Sequence, residues 1–196
     1  MKNGVSRALL GAAFLLPAFG QAQESAARPE SAQFNYTYLQ LSYDETDFDI
    51  GAVDVDGDGL TLSGSFELTD DWHIYTSYGQ ADLDFGIDVD TWAIGAGYVY
   101  PLKDGIDLYG RVLYIDQSSD AANLDADGLG LQARIRARIN DQFELEGGLQ
   151  YVDVTDSDIS LQGMARYNFS EQFSAGIGIT LAGDTDGIGI NARYSF

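Results

Sequence analysis

The chain has no cysteine, and it sets only 10 lysines and arginines against 31 acids, for a formal net charge of −21. Without thiols there is neither a disulfide framework nor a thiolate metal site. In an exported chain the lack of bridges also argues against a small stapled domain. Charge of this sign excludes nucleic acid and bare anionic membrane as partners, because their phosphates would repel the chain. Long apolar runs are missing too. Only Ala8–Phe19 approaches one, and its roughly dozen residues fall short of the ~20 that a membrane helix needs. Lys2 and Arg7 precede it and Gly20-Gln21-Ala22 follows as a small-x-small site, so residues 1–22 read as a cleaved secretory signal. Gln23–Gln33 has no periodicity and reads as an N-terminal linker. The uniform pattern of residues 34–196 implies a single domain.

That pattern is alternation. In Gly128–Val152, Leu129, Leu131, Ala133, Ile135, Ala137 and Ile139 share one parity, and Gln132, Arg134, Arg136 and Arg138 the other. After Asn140-Asp141-Gln142, Phe143, Leu145, Leu149 and Tyr151 alternate with Glu144, Glu146 and Gln150. Side chains of a strand point alternately to its two faces, so this is a hairpin with one apolar and one charged face. Folding around Asp141 sets Arg138 beside Glu144 and Arg136 beside Glu146. The same alternation runs to the chain's end, and no second layer is available to cover the apolar side. An inverted protein, apolar outside and polar inside, is the consequence.

The unit repeats as acidic loop, strand, tight turn, strand. The loops fall at Asp44–Asp58, Gln80–Asp90, Asp116–Asp127, Asp153–Asp158 and Gly183–Asp186, and they carry no lysine or arginine. The first strand is expected at about Phe34–Tyr43. The count is about ten strands, each of the ~9–11 residues that a tilted transmembrane strand requires. The fold class is therefore all-β: a closed antiparallel up-and-down transmembrane β-barrel, with eight strands as the smaller alternative. Aromatics bracket the apolar band. Trp72, Tyr100, Phe143, Phe169, Phe173 and Phe196 lie at the tight-turn end, and Tyr43, Tyr78, Trp92, Tyr114 and Tyr151 at the loop end, as interfacial girdles would.

The signal segment, the repeated hairpins and the terminal Tyr194-Ser195-Phe196 resemble the small outer-membrane β-barrel proteins of Gram-negative bacteria, the broad OmpA/OmpX-like group. The resemblance is one of pattern over nearly the whole mature chain. It implies integral insertion in the outer membrane after export through the periplasm, a monomer, periplasmic termini and turns, and acidic loops outside. The partners implied are outer-membrane lipid, lipopolysaccharide and the barrel-assembly machinery, which would read Ile188, Ile190, Ala192, Tyr194 and Phe196 as its signal. OmpX-like members have eight strands, and the short loops near Asp156 and Asp184 are where the count here departs.

Two constellations carry candidate chemistry. Asp54-Val55-Asp56-Gly57-Asp58-Gly59 matches the first half of a calcium loop, but the twelfth position is Ser65 instead of a bidentate glutamate. The expectation is no resident cofactor, with Ca or Mg loosely held by Asp54, Asp56, Asp58 and the other loop carboxylates, against a plain solvated turn. The second constellation is interior. Arg111, Arg134, Arg136, Arg138, Arg166 and Arg193 fall on the polar parity with Glu67, Asp107, Glu144 and Glu146. They read as a lumen ion-pair network, because charges away from bulk water need partners. Inward glycines at 95, 97, 176, 178 and 189 are expected to leave empty volume beside it. His73 points inward beside a tight turn, away from the loops, so no Ser-His-acid site forms and the chain reads as non-enzymatic. Three functions follow: a structural or surface-interaction barrel, a narrow cation-preferring channel, or a soluble secreted ligand-binding barrel.

Overall fold

A computed structural model describes residues 33–50, 53–84, 86–120, 125–155, 157–183 and 185–196. The signal segment and all of the linker but Gln33 lie outside the described residues. Ten strands follow one another: β1 (Tyr38–Ile50), β2 (Val53–Glu67), β3 (Trp72–Leu83), β4 (Ile87–Lys103), β5 (Ile106–Ser119), β6 (Ala126–Arg138), β7 (Phe143–Asp153), β8 (Ser157–Asn168), β9 (Phe173–Ala182) and β10 (Thr185–Ser195). Each pairs antiparallel with its neighbours in sequence, and β1 pairs with β10 to close the barrel. Closure leaves no strand edge unpaired, which a wall surrounded by lipid demands. The ten-strand count holds, and the eight strands of OmpX-like members do not apply.

The tight turns are built by local side-chain capping. Thr69 Oγ1 accepts the Trp72 N–H at 3.1 Å, Asn140 Oδ1 the Phe143 N–H at 2.9 Å, and Ser170 Oγ the Phe173 N–H at 3.0 Å. In each, a short polar residue three positions ahead of an aromatic folds the chain back on itself. The fourth tight turn uses Asp104-Gly105, where Gly105 takes a φ of 73° that only glycine adopts cheaply.

Alternation places the apolar parity outside. Leu41, Leu62, Ile94, Leu131, Leu149, Ile177 and Ile190 are all exposed on the outer wall, as a lipid-facing band requires. Trp72 and Tyr98, Tyr167 and Phe169, and Tyr194 and Phe196 make edge-to-face pairs near its tight-turn edge. Ile188, Ile190, Ala192, Tyr194 and Phe196 all lie on this outer face of the last strand and its end, and Phe196 donates its N–H to the Thr37 carbonyl.

Three sequence expectations change. First, the acidic stretches are mostly strand. β1 and β2 pair from Tyr38↔Ser65 up to Ile50↔Val53, so Asp44–Asp58 is a long hairpin. β3 and β4 likewise pair to Leu83↔Ile87. At ~3.3 Å per residue the 17 residues of β4 run roughly 56 Å along the strand, which at a ~40° tilt is about 43 Å of height against the ~25 Å apolar band. Backbone pairing continued past the membrane because alternation continued, with aspartate in place of leucine on the outer face. Second, the calcium-like stretch is extended backbone in β2, with Asp56 and Asp58 exposed on the outer wall. The side chain of Asp54 lies outside the described residues, and among the described residues no three His, Cys, Asp or Glu are placed to hold a metal. Third, strand structure begins at Tyr38 and leaves Phe34–Thr37 for another role.

The outward carboxylates form rows across the strands. Asp58 stands directly opposite both Glu45 and Asp82, and Asp82 opposite Asp88. Like charges in facing positions destabilise a sheet, and salt screens them. Asp58→Asn should therefore raise the temperature at which the folded band disappears from an unboiled detergent gel. The gain should be present at low ionic strength and absent at high; a shift independent of salt would contradict the repulsion.

Candidate functional site

The polar parity lines the lumen, and its contents divide along the barrel axis. At the tight-turn end the chain itself fills part of the lumen, beside a cavity of about 600 Å³ lined by Phe34, Arg136, Arg138, Glu144, Asn168 and Ser174, among others. Residues 33–37 leave the strand direction and enter the barrel mouth, where Phe34 and Tyr36 are buried against Val99 and Tyr109. Glu67 accepts the Tyr36 N–H at 3.0 Å, and Asp107 accepts the Gln33 N–H at 2.8 Å and the Tyr36 hydroxyl at 3.4 Å. Arg136 and Arg138 donate to the carbonyls of Asn35 and Gln33 at 3.2 and 2.8 Å. Their guanidiniums lie 4.4 and 5.0 Å from the Phe34 ring centre. Tyr36 stacks on His73 at 5.1 Å. This plug was not foreseen. The available signal was the parity of Phe34, Tyr36 and Tyr38, three aromatics on the side that β1 turns inward.

The arginines above the plug reach only part of the expected network. The cross-strand register is as read: Arg138 faces Glu144 and Arg136 faces Glu146. The ion pairs form one step along the diagonal instead, Arg136 to Glu144 at 2.7 Å and Arg134 to Glu146 at 2.8 Å. Diagonal neighbours lie within reach of long side chains, and Arg138 is engaged by residues 33–34. Glu67 and Asp107 serve the plug's backbone and hydroxyl, with no ion pair to either among the described residues.

Arg111, Arg166 and Arg193 have no carboxylate within ion-pair distance among the described residues. Arg111 Nε donates to His73 Nε2 at 2.9 Å, and its Nη2 to the Tyr38 hydroxyl at 3.1 Å. Arg193 lies 3.8 Å from the Tyr38 ring centre and donates through Nε to Gln40 at 3.0 Å. Arg166 shares the Gln40 oxygen at 3.2 Å. His73 is thus a buried acceptor for an arginine beneath a tyrosine ring.

The inward glycines are largely spoken for. Gly97 sits between His73 and Arg111 in register, and a Cβ there would fall 2.3 Å from the His73 ring, so the two side chains meet over the glycine. The Asp44 carboxylate similarly covers Gly189, and Asn191 crowds Gly176. At Gly178 the nearest atom would be 3.5 Å away, so that position does have room.

Toward the long-hairpin end the lumen opens. A cavity of about 420 Å³ is lined by Arg111, Arg134 and Arg193, by the amides of Gln132, Gln150 and Gln162, and by Tyr38, Tyr75 and Leu113, among others.

In sequence, residues 11–120 match the Gram-negative porin family, more than half of the chain. The chain belongs to the Gram-negative porin family. Among solved structures, the KdgM porin in complex with disordered oligogalacturonate is 10% identical, with 82% of this chain and 99% of that one covered at a TM-score of 0.50. An outer membrane channel from Pseudomonas putida F1 is 12% identical, with 87% and 100% covered at a TM-score of 0.50. At such identity the likeness is one of fold: an outer-membrane β-barrel, as the apolar wall of this porin-family chain also demands. No curated protein matches the sequence.

Proposed function

We propose that this chain is a narrow outer-membrane porin, closed toward the periplasm by its own residues 33–37. One observation carries this. The lower lumen is obstructed by a separate segment, residues 33–37, held through hydrogen bonds and ring contacts beside the wall's own Arg136–Glu144 pair and Arg166. Above it the lumen is a cavity reachable from the long-hairpin end. The guanidinium excess at the cavity floor supports anions as the permeant sign, in place of the cation preference suggested by overall charge. The acidic rows that produce that charge face outward and do not line the lumen.

The structural reading retains one observation in its favour, the wall's own ion pairs: Arg136–Glu144 fills the lumen beneath the cavity and Arg134–Glu146 lines the cavity itself. Planar-bilayer conductance separates the two. Phe34→Ala with Tyr36→Ala should convert small, infrequent openings into larger and longer ones with anion selectivity. A double variant that inserts, keeps its folded gel mobility and stays silent would leave the scaffold reading standing.

A further inference from the structure

We propose that the lumen cavity is a binding site for a small organic monocarboxylate, an acid group on an apolar body, held by Arg111 and Arg193. Buried arginines without counter-ions are the starting point. Arg111 and Arg193 are each 6% exposed, and among the described residues neither has a carboxylate within ion-pair distance. A buried charge left unpaired is costly, and a bound anion removes that cost. Both terminal nitrogens of Arg193 lack an acceptor among the described residues, since its one hydrogen bond leaves from Nε. That free end is the planar fork which grips a carboxylate through two parallel bonds. Tyr38 ties the two arginines together, accepting from Arg111 and stacking beneath Arg193.

The cavity's own carboxylates do not cancel this charge. Glu146 is occupied by Arg134 at 2.8 Å and by the Tyr109 hydroxyl at 2.6 Å. Asp44 also lines the cavity, but it is four residues along β1 from Gln40, Arg193's neighbour in register. At ~3.3 Å per residue that is roughly 13 Å. The site therefore keeps a positive floor.

The wall above the floor determines what the anion carries. Ala93, Leu113 and Ile115 form a buried apolar cluster inside the lumen, with Tyr75, Val152 and Val154 packed against it. An apolar patch on the polar side of a barrel is not needed to fill it, but it is what a ligand site uses, a greasy wall with a few placed polar groups. Tyr75, Ala93, Leu113 and Ile115 line the same cavity as Arg111. A volume of about 420 Å³ lies at the small end of the ~300–1,000 Å³ range of ligand pockets, which suits a single-ring or short-chain acid. Gln132, Gln150 and Gln162, joined by amide hydrogen bonds of 2.8 and 3.2 Å, face the remaining side and accommodate a hydroxyl.

The proposal rests on the lumen being reachable from outside, as the porin reading requires, but not on conduction. The full chain, folded in detergent micelles, is titrated calorimetrically with benzoate, acetate, benzyl alcohol and benzylammonium. Benzoate should bind saturably, acetate and benzyl alcohol at least tenfold more weakly, and benzylammonium not at all. Arg193→Gln with unchanged folded gel mobility should weaken benzoate at least tenfold, and Leu113→Gln should bring benzoate toward acetate. Benzoate bound no better than benzyl alcohol, or equally by Arg193→Gln, overturns the site. If Arg193→Gln fails to fold, the ranking of the four probes on the unmodified chain decides alone. A silent bilayer with specific benzoate binding would count against the porin reading and leave this one intact.

Discussion

Arg136→Ala is expected to cost about 3–5 kcal/mol of stability, the usual loss when one member of a buried ion pair is removed. Arg136 is 6% and Glu144 7% exposed, and the guanidinium holds Glu144 Oε2 through Nε and Nη2 at 2.9 and 2.7 Å. The truncation leaves Glu144 with Asn168 as its remaining partner, at 2.9 Å. It also strips the Asn35 carbonyl of its donor and Phe34 of the cation above its ring. Urea unfolding of the barrel in detergent, followed by the folded gel band, measures the loss. Replacing both partners, with Arg136→Met and Glu144→Leu, should recover most of it, because apolar side chains of similar volume carry no desolvation debt. Conductance should rise in both variants, since each loses the Arg136 contacts to Asn35 and Phe34 that help to hold residues 33–37. If the double replacement is as unstable as the single one, the energy resides elsewhere in the plug.

The strands were legible because all but the first carry the same clear period; in the first, Tyr36 and Tyr38 on one side against Leu39, Leu41 and Tyr43 on the other leave the parity ambiguous. A lipid-facing wall selects leucine, isoleucine and valine at alternate positions whatever lies inside, so parity alone separates wall from lumen. Strand ends were not legible. Asp58 and Asp82 looked like loop residues by composition, yet an outward position above the membrane is as polar as a loop, and the ladder carried on through it. The lumen was half legible. Inward arginines follow from parity, but which carboxylate each one meets depends on tilt and reach, and the pairs formed along the diagonal. Arg111 found a histidine and tyrosines where an acid was expected, because Gly97 between the strands lets His73 approach. The plug was illegible as structure because Phe34 and Tyr36 continue the alternation of β1 and read as its first residues. The positions of residues 33–37 are set by Glu67, Asp107, Arg136 and Arg138, which lie 30 to 105 residues away in sequence.

Glycine substitutions on the lumen side should divide sharply, and the division tests how tightly the wall is closed. At Gly148, directly opposite Arg134, an added Cβ would fall 2.1 Å from the Ala133 carbonyl oxygen and 2.7 Å from the Arg134 Cα. Both are backbone atoms of β6, so no rotamer relieves the contact. β6 and β7 would have to part next to the Arg134–Glu146 pair. Overpacking of a rigid site typically costs 1–3 kcal/mol, and a clash with backbone belongs at the upper end, about 3 kcal/mol. Gly178→Ala is the matched control, since its Cβ would meet nothing closer than the Gly163 oxygen at 3.5 Å. There the smaller freedom of alanine in the unfolded chain should make the change neutral or stabilising, by up to about 1 kcal/mol. Urea midpoints of the two variants against the unmodified barrel give the comparison. Equal midpoints would mean that the wall yields at Gly148 as readily as at Gly178. A low midpoint at Gly148 alone would show that this glycine holds β6 and β7 at contact distance, where Gly178 leaves room for a methyl group.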